Sequence, residues 1–214
     1  RHLASPLQVG ALAREAWLRG ATVTLVTGPV DLPDPEGADP AFEEGDRMRV
    51  VRVESAREMR DATLAAAPVA RVQVFAAAVS DFRPAHPLPG KRKRAKEEEN
   101  AGPNGERWTL ELVENPDVAS ESRAHGPADV LRVGFALETE NLLEAARGKL
   151  REKAFDWIVA NPAGEPDAGF ETETNRGWLL GSQEGEHPTE IETTSKAGFA
   201  RLVLDRVERR LKES

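Results

Sequence analysis

Polar side chains follow three apolar stretches of the sequence that are typical of buried strands. Ser80 and Asp81 come after the first stretch, Glu138 and Thr139 after the second, and Asn161 after the third. Parallel strands bind ligands in a crevice at their carboxyl ends, so these groups are predicted to meet in one site. For any one of them alone, capping a helix or starting a turn is the commoner role, so the prediction depends on their convergence.

Two groups of cations could bind an anionic ligand at this crevice. Lys149 and Lys153 are four residues apart, which predicts one helical face that grips an anion, although the nearby Glu152 favours a solvated face instead. The basic run 91–94 follows the strand that ends near Asp81, where a lysine could close over a phosphate; an exposed charge cluster is the alternative. The small residues 76–78 would admit a flat ring or a phosphate, or equally a tightly packed helix.

The elements that must position these groups alternate between helix and strand. Helices are predicted at 10–19, 55–67, after 117, at 141–153 and from 195 onward; strands at 21–27, 49–53, 72–79, 108–113, 131–136 and 155–160, with a hairpin around 178–180 and 191. This order predicts an α/β fold, a Rossmann-like doubly wound, mostly parallel sheet with a small antiparallel extension. We expect a single domain over 1–214, with a mobile flap at 84–105 where Pro, Gly and charge are dense.

The composition argues against several classes of protein. The chain has no cysteine, which excludes disulfides, thiolate nucleophiles and Cys-based zinc sites. A net charge of −8 argues against nucleic-acid binding, and no stretch has the apolar length of a membrane span or signal peptide. We therefore expect a cytoplasmic protein with no nucleic-acid or membrane partner. Because the sequence starts at Arg1 rather than at a methionine, we also expect it to be cut from a longer chain.

Eight motifs in order along the chain resemble the phosphopantothenoylcysteine synthetase family. They are Gly10-Ala-Leu-Ala, Gly20-Ala-x-Val-Thr-Leu-Val-x-Gly-Pro29, Ala76-Ala-Ala-Val-Ser-Asp-Phe-Arg83, Lys91-Arg-Lys-Arg94, Asn115-Pro-Asp117, Val133-Gly-Phe-Ala-x-Glu-Thr139, Lys149-Leu-x-x-Lys153 and Val159-Ala-Asn161. Each motif is modest alone, but their common order over almost the whole chain is specific.

The resemblance implies a phosphopantothenate–cysteine ligase of coenzyme A biosynthesis that depends on CTP and Mg²⁺. In the family's reaction, 4'-phosphopantothenate attacks the α-phosphate of CTP and releases pyrophosphate. The amine of L-cysteine then attacks the acyl-cytidylate and expels CMP. The resemblance also implies a homodimer and, as in many bacteria, covalent fusion to a flavin-dependent decarboxylase. Family members differ between CTP and ATP, and the bacterial-looking motifs favour CTP.

Carried over residue by residue, the resemblance makes Lys91 the catalytic residue that stabilises the transition state. The implied nucleotide- and substrate-binding residues are Gly10, Ala77, Asp81, Asn115, Pro116, Asp117, Val118, Phe135, Lys149, Lys153 and Asn161. No metal ligand is assigned. The chain departs from the family at its opening phosphate loop, where Arg1-His-Leu-Ala-Ser-Pro-Leu-Gln-Val-Gly10 is shorter and lacks the family's Asn and all but the last Gly.

Two other interpretations stay open from the sequence. A dinucleotide oxidoreductase should carry Gly-x-Gly-x-x-Gly between its first strand and helix and an acidic residue at the end of the next strand, and the sequence has neither. The altered opening loop would also fit a catalytically impaired nucleotide-binding Rossmann-like module that has kept the fold.

Overall fold

The computed structural model describes residues 6–30, 34, 35, 38, 46–87, 109–138, 140–163 and 173–213. In these ranges the α-helices are α1 (Pro6–Leu18), α2 (Ala56–Ala66), α3 (Val118–Arg123), α4 (Leu142–Glu152) and α5 (Lys196–Glu213), and a short 3₁₀ helix spans Ala67–Val69. The strands are β1 (Val23–Thr27), β2 (Met48–Arg52), β3 (Val72–Phe75), β4 (Phe82–Pro84), β5 (Leu112–Glu114), β6 (Leu131–Glu138), β7 (Trp157–Pro162), β8 (Thr174–Gly181) and β9 (Thr189–Ser195).

The central element is a five-stranded sheet in the order β3-β6-β7-β8-β9. Strands β3, β6 and β7 run parallel, while β8 and β9 form an antiparallel hairpin at one edge. The α/β fold with parallel strands and an antiparallel extension is therefore confirmed. Strands β1 and β2 pair in parallel in a ladder of their own, and β4 pairs antiparallel with β5.

Helices cover both faces of this sheet because side chains of β6 and β7 alternate between two cores. Val133 and Val159 face the core that packs against α1 and α5. Ala136 and Ile158 face the core that packs against α4. Burial of one large apolar side chain contributes about 1.5–3 kcal/mol, so these two layers hold the strand ends in place.

Helix α5 is amphipathic, and the spacing of its apolar residues explains why. Its buried apolar residues recur at intervals of three and four, namely Phe199, Ala200, Val203, Leu204 and Val207. Its other faces carry charge, as expected for a helix that lies on a core. No helix in the part of the chain that the structure describes is both long and apolar enough to cross a membrane.

The observed helix starts agree only in part with the starts that the sequence predicts. Helix α2 begins with the predicted capping box, in which Glu58 N donates to Ser55 Oγ at 3.2 Å and Glu54 N donates to Glu58 Oε2 at 2.7 Å. Asn141 stands before α4 as predicted, but it is left-handed, with φ of 49°, and its side chain makes no capping hydrogen bond. Helix α1 already begins at Pro6, a residue whose fixed φ suits a first turn.

The strand predicted over 72–79 is shorter than expected. Its ladder with β6 ends where Phe75 lies opposite Gly134. The alanines at 76–78 therefore lie beyond the hydrogen-bonded ladder, on the segment that leads to Asp81.

Candidate functional site

The carboxyl ends of the parallel strands lie side by side. Leu137 of β6 is opposite Asn161 of β7, and Glu138 is opposite Pro162. Strand β3 borders β6 on its other side and continues past its last paired residue toward Asp81. The structure thus places the carboxyl ends of β6 and β7 side by side, whereas Ser80 and Asp81 follow the last residue of β3 by five and six positions.

Asn115 holds the segment that follows β3. Its side-chain Nδ2 donates to Ser80 O at 2.7 Å, and its backbone N donates to Asp81 O at 2.8 Å. Arg83 Nη1 donates to Glu114 O and, at 3.3 Å, to Asn115 Oδ1. These contacts fix the backbone around Asp81, whose side chain is exposed. We call this arrangement, made of residues 80–84 and 112–115, the open end of the site.

Each of the two predicted lysines pairs with its own carboxylate. Lys149 Nζ lies 2.6 Å from Glu138 Oε1 at the end of β6. Lys153, the residue just after α4, lies 2.5 Å from Asp117 Oδ2 and 2.9 Å from Glu152 Oε1. An incoming phosphate could displace each carboxylate from its lysine, so either cation is available to an anionic ligand.

Asp117 both caps helix α3 and pairs with Lys153. As the N-cap of α3, its carboxylate accepts from Ser120 N at 3.1 Å and from Ser120 Oγ at 2.8 Å. Burial alone would raise the pKa of Asp117, but hydrogen bonds from Lys153 and Ser120 outweigh that effect and hold it below its ordinary value. The hydrogen bond to Asp117 raises the pKa of Lys153 despite partial burial. The pair therefore stays ionised at neutral pH.

Arg132 lies beneath this pair and was missed by the sequence analysis. Its side chain is 3% exposed, with Nη1 donating to Lys153 O at 2.6 Å and Nη2 donating to Ala119 O. The guanidinium carbon lies 5.2 Å from the ring centre of Phe75 and 5.3 Å from that of Phe155. The signal that could have found it is a single charge inside an otherwise apolar strand. We call Arg132, Lys153, Asp117 and Ala119 the supported end.

Asn161 belongs to a chain of buried amides. Its Nδ2 donates to Asn175 Oδ1 at 2.9 Å and to Arg176 O at 2.7 Å. Asn175 Nδ2 donates to Gln8 Oε1, and Gln8 Nε2 donates to Lys196 O, both at 3.2 Å. Asn161 Oδ1 is buried without a hydrogen-bond partner among the described residues. The amide nitrogen thus serves the fold, Oδ1 is closed off from solvent, and a role of Asn161 in ligand binding stays a prediction.

The remaining predicted residues occupy different surroundings. Phe135 is 3% exposed, with its side chain in the core under α1 and α5, so contact with a ligand would involve its backbone. Val118 is buried at the start of α3, and Pro116 is half-buried beside it. Gly10 lies inside α1, and Ala77 is exposed beyond β3. Their roles in binding stay predictions.

Lys91 and most of the predicted flap at 84–105 lie outside the described residues. Within the described residues, no three His, Cys, Asp or Glu side chains are grouped so that they could hold a metal ion.

Comparisons with known proteins agree on one family. The family model "DNA/pantothenate metabolism flavoprotein C-terminal domain" matches residues 5–211. The chain is 41% identical over 207 residues to the coenzyme A biosynthesis bifunctional protein CoaBC of Mycobacterium bovis, covering 92% of this chain and 44% of that protein. The chain thus spans less than half the length of that relative.

Solved structures show the same fold. The crystal structure of the C-terminal domain of a coenzyme A biosynthesis bifunctional protein CoaBC matches with a TM-score of 0.72 and 26% identity, over 99% of this chain and 85% of that chain. A Cab2 mutant solved in complex with phosphopantothenate-cysteine has a TM-score of 0.65 at 14% identity, over 96% of this chain and 79% of that chain. At that identity the second match shows the fold alone.

Proposed function

The chain belongs to the DNA/pantothenate metabolism flavoprotein C-terminal domain family, and from this membership we propose that it is a CTP-dependent phosphopantothenate–cysteine ligase of coenzyme A biosynthesis. The 41% identical relative from Mycobacterium bovis is a coenzyme A biosynthesis protein, which supports the choice of pathway. The observation that carries the proposal is the pairing of Lys149 with Glu138 at the carboxyl end of β6 and of Lys153, four residues further along the chain, with Asp117 at the start of α3. Two lysines whose carboxylate partners can be displaced suit a nucleotide triphosphate and 4'-phosphopantothenate, both of which are anions.

In the first step, a carboxylate oxygen of 4'-phosphopantothenate attacks the α-phosphorus of CTP. The bond from that phosphorus to the pyrophosphate oxygen breaks, which leaves an acyl-cytidylate. The barrier is mainly electrostatic, because an anionic carboxylate approaches an anionic triphosphate. Lys149 and Lys153 would hold the nucleotide, and Lys91 would offset the charge that develops at the α-phosphate.

In the second step, the amine nitrogen of L-cysteine attacks the acyl carbon of the acyl-cytidylate. The bond from that carbon to the phosphate oxygen breaks and CMP leaves, while the amine loses its proton to solvent. The buried amide chain that ends at Asn161 would hold the end of β7 in place beside the pantothenate portion. Holding both reactants in one orientation lowers the entropic part of the barrier.

Mg²⁺ suits this site as a partner of the nucleotide. Magnesium at phosphate sites is bound by one or two carboxylates together with the phosphates and several waters. Asp81, exposed at the end of the β3 segment, is such a carboxylate and would hold the ion beside the triphosphate. When bound, the ion would neutralise phosphate charge.

The homodimer, the cytoplasmic location and a fused flavin-dependent decarboxylase belong to the same proposal. Support for the fusion comes from the relative in Mycobacterium bovis, which is a bifunctional protein and of which the chain covers 44%. The second candidate, an impaired nucleotide-binding module, rests on the altered opening sequence at 1–10.

Pyrophosphate release from CTP distinguishes the two candidates. With 4'-phosphopantothenate, L-cysteine and Mg²⁺ present, we expect stoichiometric pyrophosphate and phosphopantothenoylcysteine. Omitting phosphopantothenate should stop pyrophosphate release, because its carboxylate is the nucleophile. Binding of CTP without turnover would favour the impaired module, and absence of CTP binding would overturn both.

The nucleotide preference needs its own measurement. We expect kcat/KM to be higher for CTP than for ATP under identical conditions, as the motifs around Phe135 and the paired lysines suggest. Equal values, or a preference for ATP, would contradict the CTP assignment and leave the ligase proposal intact.

A further inference from the structure

Helices α3 and α4 are joined twice, on two sides of the backbone. On the solvent side, Lys153 Nζ binds the carboxylate of Asp117, the N-cap of α3. On the buried side, the guanidinium of Arg132 binds the carbonyls of Lys153 and of Ala119, which is two residues past Asp117. The buried contacts thus fix the backbone from which both partners of the ion pair extend.

The guanidinium itself has little freedom to move. Stacked rings of Phe75 and Phe155, with centres 5.7 Å apart, both contact it. Its own backbone is anchored as well, because Arg132 N donates to Asp156 Oδ2 and Asp156 N donates to Arg132 O, each at 2.8 Å. A planar fork that binds two carbonyls at once has no equivalent in lysine, which offers a single ammonium group.

The contacts of Arg132 are local to one of the two lysines. Lys149 extends from α4 but pairs with Glu138 at the end of β6, and among the described residues no hydrogen bond joins Arg132 to Lys149 or to Glu138. If Arg132 only stabilised the fold, its replacement would change the contribution of both lysines to CTP binding. A residue that orients Lys153 and Asp117 should affect that pair alone.

We propose that Arg132 is a positioning residue that holds Lys153 and Asp117 in the geometry needed to bind the phosphates of the nucleotide. The inference rests on the proposed function, since it assigns Arg132 to the same nucleotide site. Because Arg132 is 3% exposed, it would act through the backbone of Lys153 and Ala119 rather than by touching the ligand.

A double-mutant cycle on CTP affinity tests this assignment. Arg132→Lys should weaken CTP binding on the order of tenfold, as expected for the loss of a coupled supporting contact. In a chain that already carries Lys153→Gln, the same change should have almost no further effect. In a chain that carries Lys149→Gln, it should keep its full effect. Calorimetric titration with CTP and Mg²⁺ measures all six proteins.

A matched control separates positioning from stability. Arg19 also joins two helices, binding Asp205 at 2.7 Å and Glu208 at 3.0 Å, but it lies outside the site. Arg19→Lys should lower Tm and leave the Kd for CTP unchanged. If Arg132→Lys does not fold, Phe75→Leu removes one ring from the guanidinium and should show the same selective coupling to Lys153.

The outcomes are distinct. Equal coupling to Lys149 and Lys153, or an unchanged Kd in Arg132→Lys, would overturn the positioning role while the proposed function stands. If the unaltered chain binds no CTP, the proposed function fails, and the inference fails with it.

Discussion

The two ends of the candidate site differ in how the fold holds them. At the supported end, Arg132 is 3% exposed and Phe155 is 6% exposed, so the ion pair above them rests on a packed base. At the open end, Phe82 is 51% exposed and Leu112 is 50% exposed, and Asn115 provides the hydrogen bonds to the Asp81 segment. Precise binding requires a rigid base, whereas entry and release of substrates require segments with few buried contacts. On the proposed function, recognition would fall to the supported end and chemistry to the open end.

The largest expected effect concerns Lys91, which follows the open end in the sequence. Lys91→Gln keeps most of the side-chain length but removes its charge. If this lysine offsets charge at the α-phosphate, kcat should fall on the order of 10²-fold while CTP binding changes far less. Steady-state kinetics with all three substrates measures both quantities.

The neighbours of Lys91 provide the control. Arg92, Lys93 and Arg94 carry the same charge on the same stretch. In a solvated cationic patch, neutralising any of the four would raise KM in a salt-dependent way and leave kcat nearly intact. A Lys91 variant that behaves like these three would refute the catalytic assignment.

The next effect tests the packing of the supported end. A Cβ at Gly134 would lie 2.3 Å from the ring of Phe155, which contacts Arg132. Gly134→Ala should therefore destabilise the fold by about 1–3 kcal/mol, the usual cost of overpacking a core. Urea unfolding provides the measurement. Gly148→Ala in α4 is the matched control, because its Cβ meets no atom within 4 Å, and it should stabilise the fold by about 0.5–1 kcal/mol.

Replacing an asparagine by alanine at a buried position and at an exposed position compares the hydrogen bonds at the two places. Asn175→Ala leaves Gln8 and Asn161 each short of a buried partner, which should cost about 1–3 kcal/mol of folding free energy. Asn115→Ala removes contacts at the open end and should cost less stability but more CTP affinity. If the two variants lost equal stability, the contrast between the ends would not hold.

The smallest effect is the pH dependence of the Asp117–Lys153 pair. Asp117→Asn keeps an N-cap acceptor but removes the charge, and should cost about 0.2–1 kcal/mol at neutral pH because the pair is partly exposed. The folded pKa of Asp117 is lowered from 3.8, so the difference from the unaltered chain should persist above that pH and vanish as pH falls through the folded value. The pKa of Lys153 is raised from 10.5, so its stabilisation should be complete below that pH and fade above it. A difference that grew on acidification would contradict this assignment.

Local patterns predicted the elements and the strand ends well. Alternating helices and strands, the capping box at Ser55 and the hairpin of β8 and β9 follow from short-range periodicity and side-chain chemistry. The edge at which Glu138 and Asn161 meet follows from a general rule for parallel sheets.

Local patterns could not predict which groups pair. Sequence spacing left open whether Lys149 and Lys153 grip one anion or form a solvated face, and it gave no sign that each binds a carboxylate from a different element. The amide chain from Gln8 to Asn161 depends on contacts across the fold, and only the tertiary structure specifies these. The altered opening sequence gave no indication that Gln8 would be fully buried.

The hydrogen bond from Gln8 to Lys196 joins residues separated by 188 positions. A ribosome that adds about 5–20 residues per second needs roughly 10–40 s to span that separation. During that interval the apolar face of α1 has been synthesised, but its partner helix α5 has not. A nascent chain arrested before α5 should therefore bind chaperones that recognise apolar segments, and release should follow completion of the last helix.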